Sequence, residues 1–227
     1  STHMKLFLDS ANLFEIKEVL DTGLISGITT NPSLLAKEKV SPEDVLSIVA
    51  EQVPVSLEVT KTDFDGMVEE AHQLDKLGTN VVVKLPLTMN GLKATRELGS
   101  EGIATNVTLV FTPIQALLAA KRGATYVSIF VGRLDDYNRK ITMSGLRPES
   151  GMQTVRNTLQ IFKNYGYQTK VITASVRDTN HILLAALAGS HVATIPYIVF
   201  NELYKHPLTD SGLEKFLSDY QQWKQLF

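Results

Sequence analysis

A lysine and a glutamate lie inside two short apolar segments of the 227-residue chain, and their types suggest carbonyl chemistry. Lys84 stands in the run VVVKLPL, and Glu58 stands in the run VSLEV. Burial favours the neutral amine of a lysine, which attacks carbonyl carbons and forms Schiff bases. A neighbouring carboxylate favours the charged ammonium instead, so the two residues would equally suit a plain ion pair. The residues alone leave both interpretations open.

Two carboxylates are candidates for moving protons in such a reaction. Glu58 would act through a water molecule, and Asp9, at the end of the run KLFLD, is the other candidate acid or base. Asp9, together with Asn12, would also suit the cap of a following helix. One amine and two carboxylates across a small opening suffice for reversible carbonyl chemistry.

Two arginines favour a phosphorylated substrate. Arg133 and Arg177 follow the sixth and seventh predicted strands, and Ser175 lies close to the second arginine. A guanidinium binds phosphate oxygens through paired N–H donors, and late loops of barrel enzymes often hold a phosphate. The alternative is two arginines in solvated surface loops.

The elements that must position these residues alternate between short apolar segments and longer segments of helical period. Consecutive apolar residues, as in the VVV of 81–83, are typical of a parallel sheet covered on both faces. Eight such units predict an α/β fold, a single (β/α)8 TIM barrel, and no glycine-rich dinucleotide or P-loop motif favours an open sheet. The predicted strands are 5–8, 26–28, 55–59, 81–85, 105–110, 126–130, 169–172 and 192–195. The predicted helices are 13–20, 42–50, 64–77, 91–98, 113–122, 152–165, 178–188 and 198–204, with an additional C-terminal helix at 212–225.

In a barrel of this kind the active site lies at the C-terminal ends of the strands. Each of the first seven predicted strands ends in or is followed by polar residues: Asp9, Thr29, Thr30, Asn31, Glu58, Lys84, Asn106, Thr108, Ser128, Arg133, Ser175 and Arg177. Single residues have local explanations, such as a turn at Asn31-Pro32. Their common position at one end of the barrel is better explained by a site.

The ends of the chain and one internal segment need separate interpretation. The polar segment 135–151 is predicted to be a long mobile loop. Pro207 is predicted to end the regular structure that precedes it, and Asp210 can cap the final helix. The apolar stripe of that helix would pack on its own barrel or on a neighbouring subunit. We interpret residues 1–3 as the remnant of an expression tag and residues 4–227 as one barrel domain that includes the C-terminal helix.

Composition excludes several classes of protein. With Lys+Arg 22 against Asp+Glu 24 and no basic cluster, a nucleic-acid partner is not expected. No apolar run approaches the roughly 18 residues of a membrane span, and no signal peptide is recognisable, so we expect a cytoplasmic protein without a membrane partner. The chain has no cysteine and its histidines lack metal-ligand spacing, so no metal is expected.

Several motifs together resemble the transaldolase family, most closely its short bacterial branch of transaldolases and fructose-6-phosphate aldolases. They are GITTNPS at 27–33, VKLP at 83–86, TNVTL at 105–109, YVSIFVGRLDD at 126–136, TASVR at 173–177 and HPLTD at 206–210. The resemblance runs from about Met4 to the end of the chain. It implies a class I aldolase barrel with no cofactor, commonly assembled as a homo-oligomer, a pentamer or a decamer, with the last helix at the interface.

The resemblance also implies roles for single residues. Lys84 would form the Schiff base, and Asp9 would take the proton from the C4 hydroxyl during carbon–carbon cleavage. Glu58 and Thr108 would hold the water that moves protons as the imine forms and hydrolyses. The remaining positions would bind the substrate: Asn31 and Ser128 its dihydroxyacetone hydroxyls, Thr29 and Asn106 as lining, and Arg133, Ser175 and Arg177 its phosphate.

Glu58 and Phe130 favour one activity within the branch. Transaldolases carry Glu and Phe at these positions, whereas fructose-6-phosphate aldolases carry Gln and Tyr, whose hydroxyl would help to protonate and release dihydroxyacetone. We therefore expect a transaldolase that moves a dihydroxyacetone unit between sedoheptulose 7-phosphate or fructose 6-phosphate and glyceraldehyde 3-phosphate or erythrose 4-phosphate. The alternatives are a fructose-6-phosphate aldolase, a non-catalytic sugar-phosphate binding protein in which Lys84 only pairs with Glu58, and an isomerase with a carboxylate base.

Overall fold

Eight parallel strands close into a barrel in the order in which they occur along the chain. The computed structural model describes residues 3–50, 53–142, 145 and 148–227. All eight predicted strands are confirmed, with ends that differ by no more than a residue or two. They are β1 (Lys5–Asp9), β2 (Ile25–Thr29), β3 (Val55–Glu58), β4 (Val81–Pro86), β5 (Thr105–Val110), β6 (Tyr126–Phe130), β7 (Lys170–Ala174) and β8 (Val192–Ile195).

Helices follow the strands and surround the barrel. They are α1 (Leu13–Leu20), α2 (Pro32–Glu38), α3 (Pro42–Ile48), α4 (Phe64–Asp75), α5 (Met89–Ser100), α6 (Pro113–Lys121), α7 (Val131–Thr142), α8 (Gly151–Tyr165), α9 (Thr179–Ala188), α10 (Tyr197–Phe200) and α11 (Pro207–Lys224). Every predicted helix overlaps an observed one, but the helix predicted at 198–204 forms only over Tyr197–Phe200. Together with the strands, the helices confirm the (β/α)8 barrel with an additional C-terminal helix.

The interpretation of Asn31-Pro32 as a simple turn is wrong, because these residues begin α2. The Asn31 side chain accepts a hydrogen bond from the amide of Leu34 at 2.8 Å, and Pro32 occupies the first helical position. An asparagine cap followed by proline is as good a helix start as it is a turn. The final helix likewise begins at Pro207, with His206 as its cap, and not after Asp210 as predicted.

The predicted loop 135–151 is wrong in its first half, since residues 135–142 belong to α7. This helix begins directly after β6, and its first amides bond to Ser175 in the loop after β7. The cap is therefore distant in sequence, and the usual local signal of a helix start is missing. The predicted loop positions Met143, Ser144, Leu146 and Arg147 lie outside the described residues.

Side chains along each strand point alternately toward the helices and into the barrel. In β4, Val81, Val83 and Leu85 belong to the layer between barrel and helices, and the intervening Lys84 therefore points into the barrel. A small cluster fills the barrel interior; its members are Phe7, Ile172, Ala174 and Val192, with Tyr126 and Phe130 packed against it. This cluster leaves the C-terminal end of the barrel to the polar side chains.

The last helix, α11, leaves its apolar side exposed. No residue of α11 is buried, although one side of it carries large apolar side chains: Leu213, Phe216, Leu217, Tyr220 and Trp223. Of the two partners considered for this stripe, its own barrel does not cover it. Among the described residues, no helix combines the length and the apolar composition that a bilayer crossing requires.

Candidate active site

Lys84 places an amine in the interior of the barrel, where only 5% of the residue is exposed. Its Nζ donates to the carbonyl oxygen of Thr30, after β2, at 3.1 Å and lies 3.6 Å from Glu58 Oε1. Glu58 and Lys84 are paired in the register of β3 and β4, so strand pairing itself brings the two charges together. The amine is held by two oxygen acceptors in a place that water reaches poorly.

A cavity of about 270 Å³ gives access to this amine. Its lining consists of Asn31, Pro32, Ser33, Glu58, Lys84, Thr108, Leu109, Phe130 and Arg133. Thr108 Oγ1 is buried, and no described residue offers it a hydrogen-bond partner. Buried hydroxyls are normally paired, and those without a protein partner are commonly paired to water or to a ligand.

The carboxyl groups of Asp9 and Glu58 are both affected by burial at this opening. Burial raises the pKa of Asp9, and the charge of Lys84 and a hydrogen bond from Thr29 oppose this only in part. Burial also raises the pKa of Glu58, and Lys84 is again the main opposing charge. Carboxyls with raised pKa exchange protons closer to neutral pH than exposed carboxyls do, as acid–base catalysis requires.

Hydrogen bonds between buried polar side chains fix three strands around the amine. Asn106, which pairs with Lys84 in the register of β4 and β5, donates to Ser56 Oγ at 3.2 Å. Ser128 on β6 donates to Asn106 Oδ1 at 2.8 Å. Because both the nitrogen and the oxygen of the Asn106 amide are hydrogen-bonded, its orientation is defined. Ser56, Asn106 and Ser128 therefore form a rigid polar layer inside the barrel.

Leu109 occupies a strained backbone position beside the cavity. Its φ is +62°, in the left-handed region that residues with a side chain rarely adopt, and the register of β5 with β6 is irregular between Val107 and Val110. This irregularity brings Leu109 into the cavity wall directly after Thr108. Strain of this kind is typical of functional sites, where the surrounding fold enforces it.

Ser175 joins the seventh strand to the start of α7. Its φ is +55°, its carbonyl oxygen accepts from Gly132 N at 2.9 Å, and its Oγ accepts from Arg133 N at 3.0 Å. The Oγ therefore uses an acceptor position on the helix, and its proton is left to donate elsewhere. The N-terminal end of a helix carries partial positive charge that favours an anion.

Arg177 lies against the same helix start. A Cβ placed on Gly132 would come within 2.6 Å of Arg177 Cγ and Nε, so glycine is needed for this close approach. The guanidinium is held by Asp136 on α7, with 2.9 Å between Nη2 and Oδ2. The backbone amide of Arg177 donates to His181 Nδ1 at 3.0 Å, and His181 Nε2 lies 3.4 Å from Asp135. The arginine is thus fixed at both its main chain and its side chain.

The predicted site residues fall into three groups. Asn31, Glu58, Lys84, Thr108, Phe130 and Arg133 line the cavity. Four more reach the cavity indirectly. Asp9 interacts with the charge of Lys84, and Thr29 hydrogen-bonds to Asp9. Asn106 pairs with Lys84 in the strand register, and Ser128 hydrogen-bonds to Asn106. Ser175 and Arg177 follow β7, contact the start of α7 and do not line the cavity. Within the described chain, no three His, Asp or Glu side chains come together as metal ligands would.

Several residues of the site were missed by sequence reasoning. Ser56 and Thr194 hydrogen-bond to predicted site residues, and Asp136 holds Arg177. The eighth strand, VATI, contains a threonine among apolar residues, so the rule applied to the other seven strands would have indicated Thr194. Asp9 does not cap α1, since the cap is the side chain of Asn12 alone.

The chain is similar to known proteins over nearly its whole length. Residues 6–227 match the profile of the family described as Transaldolase/Fructose-6-phosphate aldolase. The chain belongs to this family. A relative from Geobacter sulfurreducens is 52% identical over 96% of this chain and 98% of its own length, and one from Thermodesulfovibrio yellowstonii is 50% identical over 98% and 100%; each is named "Probable transaldolase".

The family and these names indicate that the chain is an enzyme of the transaldolase/fructose-6-phosphate aldolase type. A solved structure of a flavocytochrome B2 mutant is similar in fold, with a TM-score of 0.56 at 12% identity over 85% of this chain and 56% of that one. At that identity the likeness concerns the barrel architecture only.

Asp9→Asn should make the fold more stable at pH above the pKa of Asp9. Burial raises the pKa of Asp9 above its value in the unfolded chain, so the charged carboxylate costs stability at pH above the folded-state pKa. We expect a Tm about 2–4 °C higher than that of the wild type at pH 8. The gain should shrink as the pH falls through the pKa of Asp9, because the wild type then regains its stability by protonation.

Thermal denaturation followed by circular dichroism at pH 8 and pH 4 measures this difference. Glu97→Gln, at an exposed position on α5, serves as the control and should leave the Tm unchanged at both pH values. A Tm of Asp9→Asn below that of the wild type at pH 8 would show that attraction to Lys84 outweighs burial.

Proposed function

We propose that the protein is a transaldolase, and that Lys84 forms a Schiff base with the C2 carbonyl of a ketose phosphate. The observation that carries the proposal is the buried amine, 5% exposed, which lines a cavity beside Glu58 and the Thr108 hydroxyl, for which the described residues supply no hydrogen-bond partner. A lysine required only for an ion pair would not need an open cavity at its amine. The donors would be sedoheptulose 7-phosphate or fructose 6-phosphate, and the acceptors glyceraldehyde 3-phosphate or erythrose 4-phosphate.

In the proposed mechanism the neutral Lys84 amine adds to C2 and gives a carbinolamine. A water between Glu58 and Thr108 carries the protons as this intermediate loses water and becomes the imine. Asp9 then accepts the proton of the C4 hydroxyl, the C3–C4 bond breaks, and its electron pair passes to the imine as an enamine. The first aldose phosphate leaves, and a second aldose phosphate adds to the enamine by the reverse steps.

The phosphate would bind at the start of α7. Arg133 and Arg177 supply charged donors, and the Ser175 hydroxyl, whose oxygen already accepts from the helix, supplies one more. Arg133 lines the cavity itself and lies over the ring of Phe111, with 6.0 Å from its Cζ to the ring centre. This arrangement supports a substrate that extends from Lys84 toward an anionic group.

Borohydride reduction in the presence of fructose 6-phosphate should attach the sugar to Lys84 irreversibly. Reduction converts the imine to a stable secondary amine, which peptide mass mapping locates on the chain. Lys84→Met should lose the adduct and at least about 10³ of the transfer rate, because the covalent route is then closed. Lys121→Met, at the exposed end of α6, is the matched control and should behave as the wild type.

Turnover that continues without a modified Lys84 would overturn the proposed mechanism. Binding of fructose 6-phosphate without turnover, with equal affinity in Lys84→Met and the wild type, would instead favour the non-catalytic sugar-phosphate binding protein.

A second candidate is a fructose-6-phosphate aldolase, because the family description includes both activities. The position of Phe130 favours transfer of the dihydroxyacetone unit over its release. Its ring lines the cavity and lies 5.6 Å from the ring of Phe111, and it has no proton to give to the enamine. Without a donor there, the enamine would survive until an aldose phosphate arrives.

Phe130→Tyr should increase the release of free dihydroxyacetone relative to transfer by about tenfold or more, since the added hydroxyl can assist protonation of the enamine. Coupled assays of both products from fructose 6-phosphate, with and without erythrose 4-phosphate, measure the ratio. Phe111→Tyr is the control, because the Phe111 ring packs against that of Phe130 but does not line the cavity. A wild type that already releases dihydroxyacetone faster than it transfers the unit would identify the aldolase.

We also propose that the protein forms a homo-oligomer through α11. The apolar side chains of this helix are 49–70% exposed in the single chain, and stripes of this size are normally covered by a partner. Phe216→Glu together with Leu217→Glu should reduce the assembly to smaller species in sedimentation velocity experiments. Gln222→Glu, on the opposite side of the helix, should not. A wild type that sediments as a monomer at about 10 μM would contradict the proposal.

A further inference from the structure

Thr194 connects the eighth strand to the acid–base group of the first. Its Oγ1 lies 2.6 Å from Thr29 Oγ1 on β2, and Thr29 Oγ1 donates to Asp9 Oδ1 at 2.8 Å. β1 lies between β8 and β2 in the barrel, so the two threonines reach each other from either side of the strand that carries Asp9. Thr29 and Thr194 are 2% and 4% exposed, which leaves little room for water to replace either hydroxyl.

The number of protons fixes the direction of these bonds. A threonine hydroxyl has one hydrogen, and Thr29 gives its hydrogen to Asp9. The contact between Thr29 and Thr194 must then use the hydrogen of Thr194, with the Thr29 oxygen as acceptor. Donation into a hydroxyl polarises its O–H bond, so the bond from Thr29 to Asp9 is strengthened. The gain is larger for a charged carboxylate than for a neutral carboxyl group.

We propose that Thr194 is a positioning residue, which acts through Thr29 to hold Asp9 ionised and oriented for proton transfer. The inference rests on the proposed function, in which Asp9 takes the proton of the C4 hydroxyl. Thr194 itself does not line the cavity and touches no reacting atom.

The charged side chains that act on Asp9 lie on β3 and β4. Lys84 on β4 stabilises the carboxylate, and Glu58 on β3 bears the like charge. α10, the helix in contact with β1, carries Tyr197, whose hydroxyl donates to Glu18. Burial raises the pKa of Asp9, and Lys84 and the Thr29 hydroxyl oppose that rise. Weaker donation from Thr29 therefore leaves Asp9 protonated to a higher pH.

The test compares Thr194→Val with a matched variant elsewhere in the barrel. Valine keeps the shape of threonine and removes the hydroxyl. Thr173 on β7 is also fully buried and lies 2.9 Å from Ser190 Oγ, in a hydroxyl pair that does not reach Asp9. Thr173→Val therefore controls for the loss of a buried hydroxyl as such, and Thr194→Ser restores the donor.

We expect Thr194→Val to lower kcat for dihydroxyacetone transfer about fivefold with KM within about twofold, and to move the acid limb of the kcat profile up by about half a pH unit. Thr194→Ser should restore both quantities, and Thr173→Val should move neither. Equal profiles for Thr194→Val and the wild type, or equal shifts for Thr173→Val and Thr194→Val, would overturn the proposal. Thr194→Ala replaces the valine variant if that variant does not fold.

A second readout separates this proposal from the proposed function. The carboxyl ¹³C signal of Asp9, assigned by its loss in Asp9→Asn, gives the titration of the group without any turnover. An upward shift in Thr194→Val supports the hydrogen-bond chain even if the wild type proves not to transfer dihydroxyacetone. An unchanged titration in a protein that is an active transaldolase refutes the chain and leaves the proposed function intact.

Discussion

The structure depends on keeping one amine accessible inside a barrel that excludes most water. Lys84 can hold this position because strand register sets Glu58 beside it and because the carbonyl oxygen of Thr30 accepts one of its hydrogens. A buried ammonium with no such acceptors would be very costly. The same two oxygens hold the amine in a fixed place at the cavity wall.

Polar side chains replace the apolar filling at one end of the barrel. One chain of hydrogen bonds runs through Asn106 and another through Thr29, and each defines the orientation of its members. Thr108 is the exception at the cavity, since its hydroxyl has no partner in the described part of the chain. A rigid polar layer with one unsatisfied hydroxyl beside an amine is suited to binding a small polar molecule there.

The other end of the site is linked to the stability of a helix. Ser175 caps α7 from a loop distant in sequence, and Gly132 allows Arg177 to lie against the first turn. The groups proposed to bind phosphate are therefore the same groups that start the helix. This coupling explains why the helix forms despite the missing local cap.

The sequence determined the fold class, all eight strands and most of the residues that line the cavity, because strand periodicity is local and parallel strands bring their ends together. The motifs also determined the family. Only the tertiary structure showed that residues 131–142 form a helix, α7, because its cap comes from Ser175, more than 40 residues away along the chain. It alone assigned Thr194 to Asp9, and showed that the barrel leaves the apolar side of α11 uncovered. The contacts of Ser175 with α7 and of Thr194 with Thr29 join segments far apart in sequence, so no local pattern indicates which residues pair.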